Sequence, residues 1–464
     1  MKISFHGADQ GVTGSCHLLE CAGKRILIDC GMYQGNRELA AENAEDFGFD
    51  PASIDFLLLT HAHLDHCGRI PLLTKRGFKG EVIATAATIE LARLVMLDSA
   101  GLQEEEARYQ LRKARRHNNS HGDTIEALYT TIDALNSLDY FGRKVEYDKA
   151  IQLAPGIRAT FINAGHILGS ASIFLELEEN QQKHRLLFSG DLGYSNRAIL
   201  RNPATPPEVD TVVMETTYGD RQHKQLQPSI DELYSIINNT IGRGGNVIIP
   251  TFALERAQEI LYYLREGLEN LSIKYFMNVF LDSPMAISAT QIFERHPECY
   301  NQETLRAATG NKDPFSLPGL HFTRETAESI AISQLESGAV IMAGSGMCTG
   351  GRVRHHLRHN LWGRKNSIVF VGYAAQGTLA RRIIDGAEKV RIFSEDIQVR
   401  ASIHTIGGFS AHADQVELLA WHRLTGNPAT TFLVHGEENS MHAFAKKLKD
   451  TQVEMPTLGQ EYTL

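Results

Sequence analysis

Six short apolar runs, each followed within a few residues by a side chain able to bind or orient a metal ion, constrain this chain more than any other feature. They are Ile26-Leu27-Ile28 before Asp29, Phe56-Leu57-Leu58-Leu59 before Thr60-His61, and Phe161-Ile162 shortly before His166. The others are Leu186-Leu187-Phe188 before Asp191, Val212-Val213-Met214 before Glu215, and Phe432-Leu433-Val434 before His435. Short apolar runs rich in branched and aromatic residues read as buried strands. In layered α/β proteins, ligands gather beyond the carboxyl ends of such strands. The pattern therefore predicts strands that deliver their polar residues to one rim. Helical patterns alternate with them: Thr88 to Leu102, the capping-box sequence Ser229-Ile230-Asp231-Glu232 ahead of Leu233, Glu255 to Leu268, and Gln415 to Leu424 stopping at Gly426. Alternation of this kind means an α/β protein.

The spacing of the polar strand ends predicts how the chain is divided. Five fall between residues 29 and 215 and the sixth only at 435. The stretch between has strand candidates of its own at 244–250, 279–281, 339–342 and 368–371, so it reads as one domain inserted into another. A length of 464 residues, with 42% hydrophobic and 22% charged side chains, allows two or three globular domains. Six cysteines without a Cys-x-x-Cys pair exclude a disulfide framework and predict free thiols. The opening residues carry no signal-like apolar core, and no apolar run approaches the roughly 18 residues of a membrane span, so a soluble, cytoplasmic protein without a membrane partner is expected.

A formal net charge of −9 argues against wholesale wrapping of nucleic acid but leaves room for a local basic groove. Residues 343–382 supply a candidate. Arg352, Arg354, Arg358, Arg364, Lys365, Arg381 and Arg382 sit there without a single Asp or Glu. Ser345 and Gly346, in a glycine-rich stretch after a predicted strand, are candidates for offering backbone N–H groups to phosphate.

His61-Ala62-His63-Leu64-Asp65-His66 packs four potential metal ligands into six residues. A solvated polar turn is the bland alternative. The flanking apolar segments and the further ligand types at later strand ends weigh against it. Imidazole and carboxylate without thiolate suit a hydrolytic Zn²⁺ pair, with Mn²⁺ or Fe also compatible. Two ions about 3.5–4 Å apart can clamp both oxygens of an in-line displacement, which suits phosphodiester hydrolysis.

On these residues the chain resembles the metallo-β-lactamase superfamily, whose signature is His-x-His-x-Asp-His, and within it the branch carrying a β-CASP insert. The resemblance implies a metallo-β-lactamase αββα sandwich with an inserted β-CASP α/β domain: residues 1–218 and 396–464 in the former, 219–395 in the latter. It implies two Zn²⁺ ions. His61, His63 and His166 would hold one, Asp65, His66 and His435 the other, and Asp191 would bridge them. Asp29 is expected behind the ligands, satisfying nearby donors rather than touching metal. Glu215 in Glu215-Thr216-Thr217, His412 in Phe409-Ser410-Ala411-His412-Ala413-Asp414, and His435 resemble the three β-CASP motifs. A histidine in the last of these is typical of RNA-processing members, whereas DNA-repair members generally carry an aliphatic residue. The form around His412 is similar to that of the mRNA 3′-end cleavage endonuclease group and its prokaryotic relatives rather than to ribonuclease J. By the same resemblance, no further C-terminal domain of the ribonuclease J kind is expected after His435.

The expected activity is hydrolysis of single-stranded RNA by metal-activated hydroxide. It would be endonucleolytic, with 5′-to-3′ exonuclease action as a companion, and would leave 5′-phosphate and 3′-hydroxyl ends. In this scheme Asp65 also accepts a proton, and His412, near its ordinary pKa and oriented by Glu215, protonates the departing oxygen. Arg352, Arg354, Arg358 and Arg382 would hold the RNA backbone. Relatives make a homodimer the assembly to expect. Two alternatives are a small-ester or thioester metallo-hydrolase on the same metal core, and an RNA-binding processing subunit with little activity of its own. The inserted domain, Glu215 and His412 speak against the first, and the complete ligand set against the second.

Overall fold

A computed structural model describes residues 1–35, 37–116, 126–310, 312–372, 374–375 and 377–464. The chain divides into two compact units. One comprises residues 1–195, 202–222 and 412–464, the other residues 196–201 and 223–411.

The first unit is built on two sheets, each of seven strands among the described residues. One runs in the order Glu461–Thr463, Lys2–Phe5, His17–Cys21, Lys24–Ile28, Phe56–Leu58, Glu81–Thr85, Phe141–Val145. The other runs Gln452–Glu454, Thr430–Val434, Thr211–Glu215, Gln182–Phe188, Ala171–Glu179, Ile157–Asn163, Ile151–Ala154. Their inner faces share one core, in which Ile3, Phe5, Leu19, Ile28 and Leu58 meet Phe161, Ile173, Phe188, Val213 and Phe432. The outer face of the second sheet is covered by the helices Gln415–Arg423 and Glu438–Ala445, through Leu418, Trp421, Met441 and Phe444 against Leu187, Val212, Met214 and Leu433. Strands such as Thr211–Glu215 are buried on both faces, which is why their sequences are uniformly apolar rather than alternating.

All six predicted ligand-bearing strands form. The mixed sheets also contain antiparallel partners, such as Ala171–Glu179, whose polar and apolar residues alternate. The helix expected over Thr88–Leu102 extends over Ala86–Arg116. The capping box expected at Ser229 is not used. That helix spans Leu226–Gly242, and the Ser229 hydroxyl donates back to the Gln225 carbonyl at 3.2 Å. Ser229 therefore sits inside the first turns, where hydroxyl side chains bond the preceding backbone.

Among the described residues, the second unit carries a six-stranded sheet in the order Leu320–Phe322, Asn278–Leu281, Ala339–Ala343, Val247–Pro250, Ser367–Phe370, Ser402–Thr405, parallel throughout. Its edge strand Ser402–Thr405 keeps the chain with this unit until the return to the first unit at His412. Residues 196–201 also belong to this unit. Arg197 is buried there against Glu255 at 3.2 Å and Glu259 at 3.3 Å.

Candidate metal centre

The ligand candidates all come from loops at strand ends of the first unit. His61 and His63 follow the strand Phe56–Leu58, and the short helix Leu64–Cys67 carries Asp65 and His66. Two glycines make room for this loop and the next. A Cβ on Gly31 would stand 1.6 Å from the Asp65 carbonyl oxygen, and one on Gly193 would stand 1.8 Å from that of Gly165. His166 sits in a turn pinned by Ser170, whose Oγ accepts the backbone N–H groups of His166 at 3.0 Å and Ile167 at 3.2 Å.

The side chains converge into two facing groups. In the first, His63 Nδ1 lies 3.2 Å from His61 Nε2 and 3.1 Å from His166 Nε2. Asp191 Oδ2 is 3.4 Å from His61 Nε2 and 3.5 Å from His166 Nε2. In the second, His66 Nε2 is 3.3 Å from His435 Nε2, and His435 Nε2 is 3.4 Å from Asp65 Oδ2. The other oxygen of Asp191, Oδ1, lies 3.3 Å from His66 Nε2. Donors arranged tetrahedrally about 2.0–2.1 Å from a common centre are about 3.3–3.4 Å apart, so both groups have the spacing a metal ion requires. Asp191 Oδ1 is buried and accepts no hydrogen bond from any described residue, as suits an oxygen aimed at a cation.

Neighbouring hydrogen bonds determine which imidazole nitrogen is bare. The Asp29 carboxylate accepts the Thr60 backbone N–H, the Thr60 hydroxyl and His66 Nδ1–H, each at 2.7 Å. Because Thr60 Oγ1 donates to Asp29, it accepts from His61 Nδ1 at 3.0 Å. Thr217 Oγ1 does the same for His435 Nδ1 at 3.0 Å while donating to the His435 carbonyl at 3.2 Å. The Nε2 atoms of His61, His66 and His435 thus face the centre. Asp29 stands behind His66. Asp29→Asn is expected to weaken metal binding about 10- to 100-fold, read by competition with a chelator, while leaving the ligands themselves intact.

Burial in the first group drives the histidines to the neutral form that metal binding needs. His61 is pushed down to about 3 by desolvation and the charge of His66, and His63 to about 4 mainly by desolvation. Desolvation also holds His166 well below its ordinary value. Burial works against ionised Asp191, but the surrounding His435, His66 and His61 outweigh it and hold the carboxyl well below the usual range.

Beside these ligands, Glu215 and His412 form a pair, with His412 Nδ1 3.2 Å from Glu215 Oε1. Glu215 is buried at the end of its strand, and its Oε1 also accepts the Leu192 N–H at 2.6 Å. His412 Nε2 lies 4.0 Å from Asp191 Oδ2. His412 is not near its ordinary pKa, as the sequence reading had it. Burial lowers it, but the Glu215 carboxylate, with Asp191 and Asp65, overrides that and raises it to about 9.

The basic stripe is redistributed by the fold. Arg352 is engaged inside the second unit by Asp282 at 2.8 Å and by the carbonyls of Thr323 and Arg324. Arg358 forms a bidentate pair with Glu395 at 2.7 and 2.8 Å. Acids from elsewhere in the chain thus already engage these two arginines. Arg354 and Arg382 line an open pocket of about 280 Å³ together with Arg391, Thr349 and Thr378. Arg391 escaped the sequence reading because its neighbours in sequence include Glu388, Glu395 and Asp396. Ser345 lies on the loop after Ala339–Ala343, with its Oγ 3.3 Å from Thr349 Oγ1, and Gly346 rests against Phe252. Thr60 and Thr217 were also missed, although each stands within two residues of a ligand or of Glu215.

The chain matches the metallo-β-lactamase superfamily over residues 10–235, the Beta-Casp domain over 257–383, and the Zn-dependent metallo-hydrolase RNA specificity domain over 396–456. It belongs to the metallo-β-lactamase superfamily, in the branch defined by the β-CASP domain, and is a metal-dependent hydrolase with a divalent metal cofactor. It is 39% identical to Ribonuclease TTHA0252 of Thermus thermophilus over 99% of each chain. It is 31% identical to the transcription termination factor FttA of Methanocaldococcus jannaschii, over 97% of this chain and 69% of that protein. An RNase J-like protein of the same archaeon is 29% identical over 98% and 97%. A crystal structure of a protein of unknown function from Enterococcus faecalis shares the fold, with a TM-score of 0.54, 11% identity and coverage of 100% and 99%. No helix among the described residues is long and apolar enough to cross a membrane.

Proposed function

We propose that this chain is a zinc-dependent ribonuclease holding two ions, which cleaves single-stranded RNA internally in the cytoplasm. The observation that carries the reading is the shared position of Asp191. One carboxylate faces two three-residue groups and also stands next to the Glu215–His412 pair. His61, His63 and His166 would hold one ion, Asp65, His66 and His435 the other, and Asp191 both. The relative named a ribonuclease, similar along the whole chain, supports RNA as substrate.

When bound, the ions lower the pKa of water and offset negative charge on the phosphoryl oxygens. The chain supplies the rest. Asp65, drawn to its ionised form by His435 and His66 against the cost of burial, can accept a proton as well as ligate. Glu215, fixed by Leu192, keeps Nδ1 of His412 engaged, so that Nε2 carries the proton given to the departing oxygen. Arg354, Arg382 and Arg391 would take backbone phosphates, and residues 219–395 would form the β-CASP domain. A 5′-labelled single-stranded RNA incubated with the zinc-loaded protein is expected to yield internal fragments on a sequencing gel, absent with Asp65→Ala and His412→Ala. A ladder from the 5′ end would mark exonuclease action. RNA left intact by a protein shown to hold two ions would overturn the reading.

A further inference from the structure

In a parallel sheet, the carboxyl ends of the strands are where ligands bind. The loops after the three adjacent strands Ala339–Ala343, Val247–Pro250 and Ser367–Phe370 of the second unit meet at that edge. The middle loop opens with Thr251-Phe252, and the Phe252 ring is 43% exposed. What flanks it is bare backbone. A Cβ on Gly346, from one neighbouring loop, would lie 2.8 Å from Phe252 Cε2, and one on Gly372, from the other, 3.7 Å. A side chain at Gly346 would crowd the ring edge, whereas hydrogen there lets the ring stand beside that loop with part of its surface open, and the backbone at Gly372 lies within ordinary contact distance on the other side.

Other exposed aromatics of this unit are placed differently. Tyr275 and Phe276 precede the strand Asn278–Leu281, and Trp362 precedes Ser367–Phe370, so all three lie towards amino ends. Phe322 is at a carboxyl end, but of the edge strand Leu320–Phe322, apart from the three adjacent loops. Phe393 already has the guanidinium of Arg354 4.6 Å from its ring centre. Phe252 combines exposure with the carboxyl ends of the central strands. Its neighbour Gly346 is three residues from Thr349, which lines the pocket of Arg354, Arg382 and Arg391. Three residues of chain span about 11 Å at most, so an apolar ring and a cationic pocket lie along one short loop. Flat aromatic surface beside arginines is the combination that binds single-stranded nucleic acid, the ring stacking on a base and the cations holding phosphates.

We infer that Phe252 is a stacking platform for one base of the bound RNA. This rests on the ribonuclease reading above and adds a specific contact to it. The test uses the full-length, zinc-loaded protein in a His412→Ala background, so that RNA stays intact during binding, and oligoribonucleotides with a single 2-aminopurine moved along the strand. Stacking should quench that fluorophore at one position in protein carrying Phe252. Phe252→Leu, which keeps apolar bulk without a ring, should abolish the quenching and weaken binding about tenfold. Phe252→Trp should restore both, which a merely structural role would not require. Equal quenching and affinity in Phe252→Leu would overturn the platform while leaving RNA cleavage by the otherwise unaltered protein intact. Failure of that unaltered protein to bind or cleave RNA would overturn both readings.

Discussion

Asp191→Ala is expected to empty both metal positions together and to lower RNA cleavage by about a thousandfold or more. The two oxygens of Asp191 divide the work: Oδ2 faces His61 and His166, and Oδ1 faces His66, with His435 Nδ1 at 3.6 Å. Removing a ligand from only one group, as His63→Ala or Asp65→Ala does, leaves the other group its full complement. Removing Asp191 takes a negative donor from each. Metal ions contribute several kcal/mol of charge stabilisation in a hydrolytic transition state, and about 4 kcal/mol corresponds to roughly a thousandfold in rate. Elemental analysis of the purified variant separates the causes. Loss of both ions with loss of activity supports a shared bridge. Retention of one ion would show that the two groups bind independently and that Asp191 belongs to one alone.

The centre was largely legible in the sequence because each ligand follows a run too apolar to be anything but buried strand. Burial of the strand dictates where the next polar residue must emerge, and this holds for His61, Asp191, Glu215 and His435 alike. The orienting hydroxyls of Thr60 and Thr217 were not legible. Threonine is common at strand ends, and only the three-dimensional path shows that one hydroxyl both accepts from an imidazole and donates onward. The arginine stripe failed for a related reason. Counting charge along a window ignores acids brought in from elsewhere, and Asp282, 70 residues away in sequence, takes Arg352. The late boundary at His412 reflects strand pairing, since Ser402–Thr405 has no sequence mark assigning it to one sheet rather than another. Phe252 was unmarked because the room for its ring depends on a glycine 94 residues further along, at position 346.

His412→Ala is expected to lower kcat by about 10²- to 10⁴-fold while leaving both metal positions filled. His412 is not counted among the seven ligand candidates: its Nδ1 is turned to Glu215, its Nε2 stands 4.0 Å from Asp191, and its ring lies 4.4 Å from that of His166. The pH profile distinguishes an acid from a spectator. The folded-state pKa, raised to about 9 from 6.5, keeps His412 protonated at neutral pH, and activity that needs the proton falls as pH rises through the folded value. Bound cations cancel the contributions of Asp191 and Asp65 and leave Glu215 as the partner that sustains the shift, so the alkaline limb should lie between 6.5 and about 9. Glu215→Gln should move that limb towards 6.5 and lower kcat at pH 8 more than at pH 6. The same shift is a stability term. A histidine whose pKa is raised on folding stabilises the native state fully below 6.5, and that contribution is lost as pH climbs through the folded pKa. The metal-loaded His412→Ala protein should therefore melt below the unaltered protein at pH 6 and converge with it towards pH 9–10. If the alkaline limb stayed in place in Glu215→Gln, with kcat reduced equally at every pH, His412 would not be the proton donor.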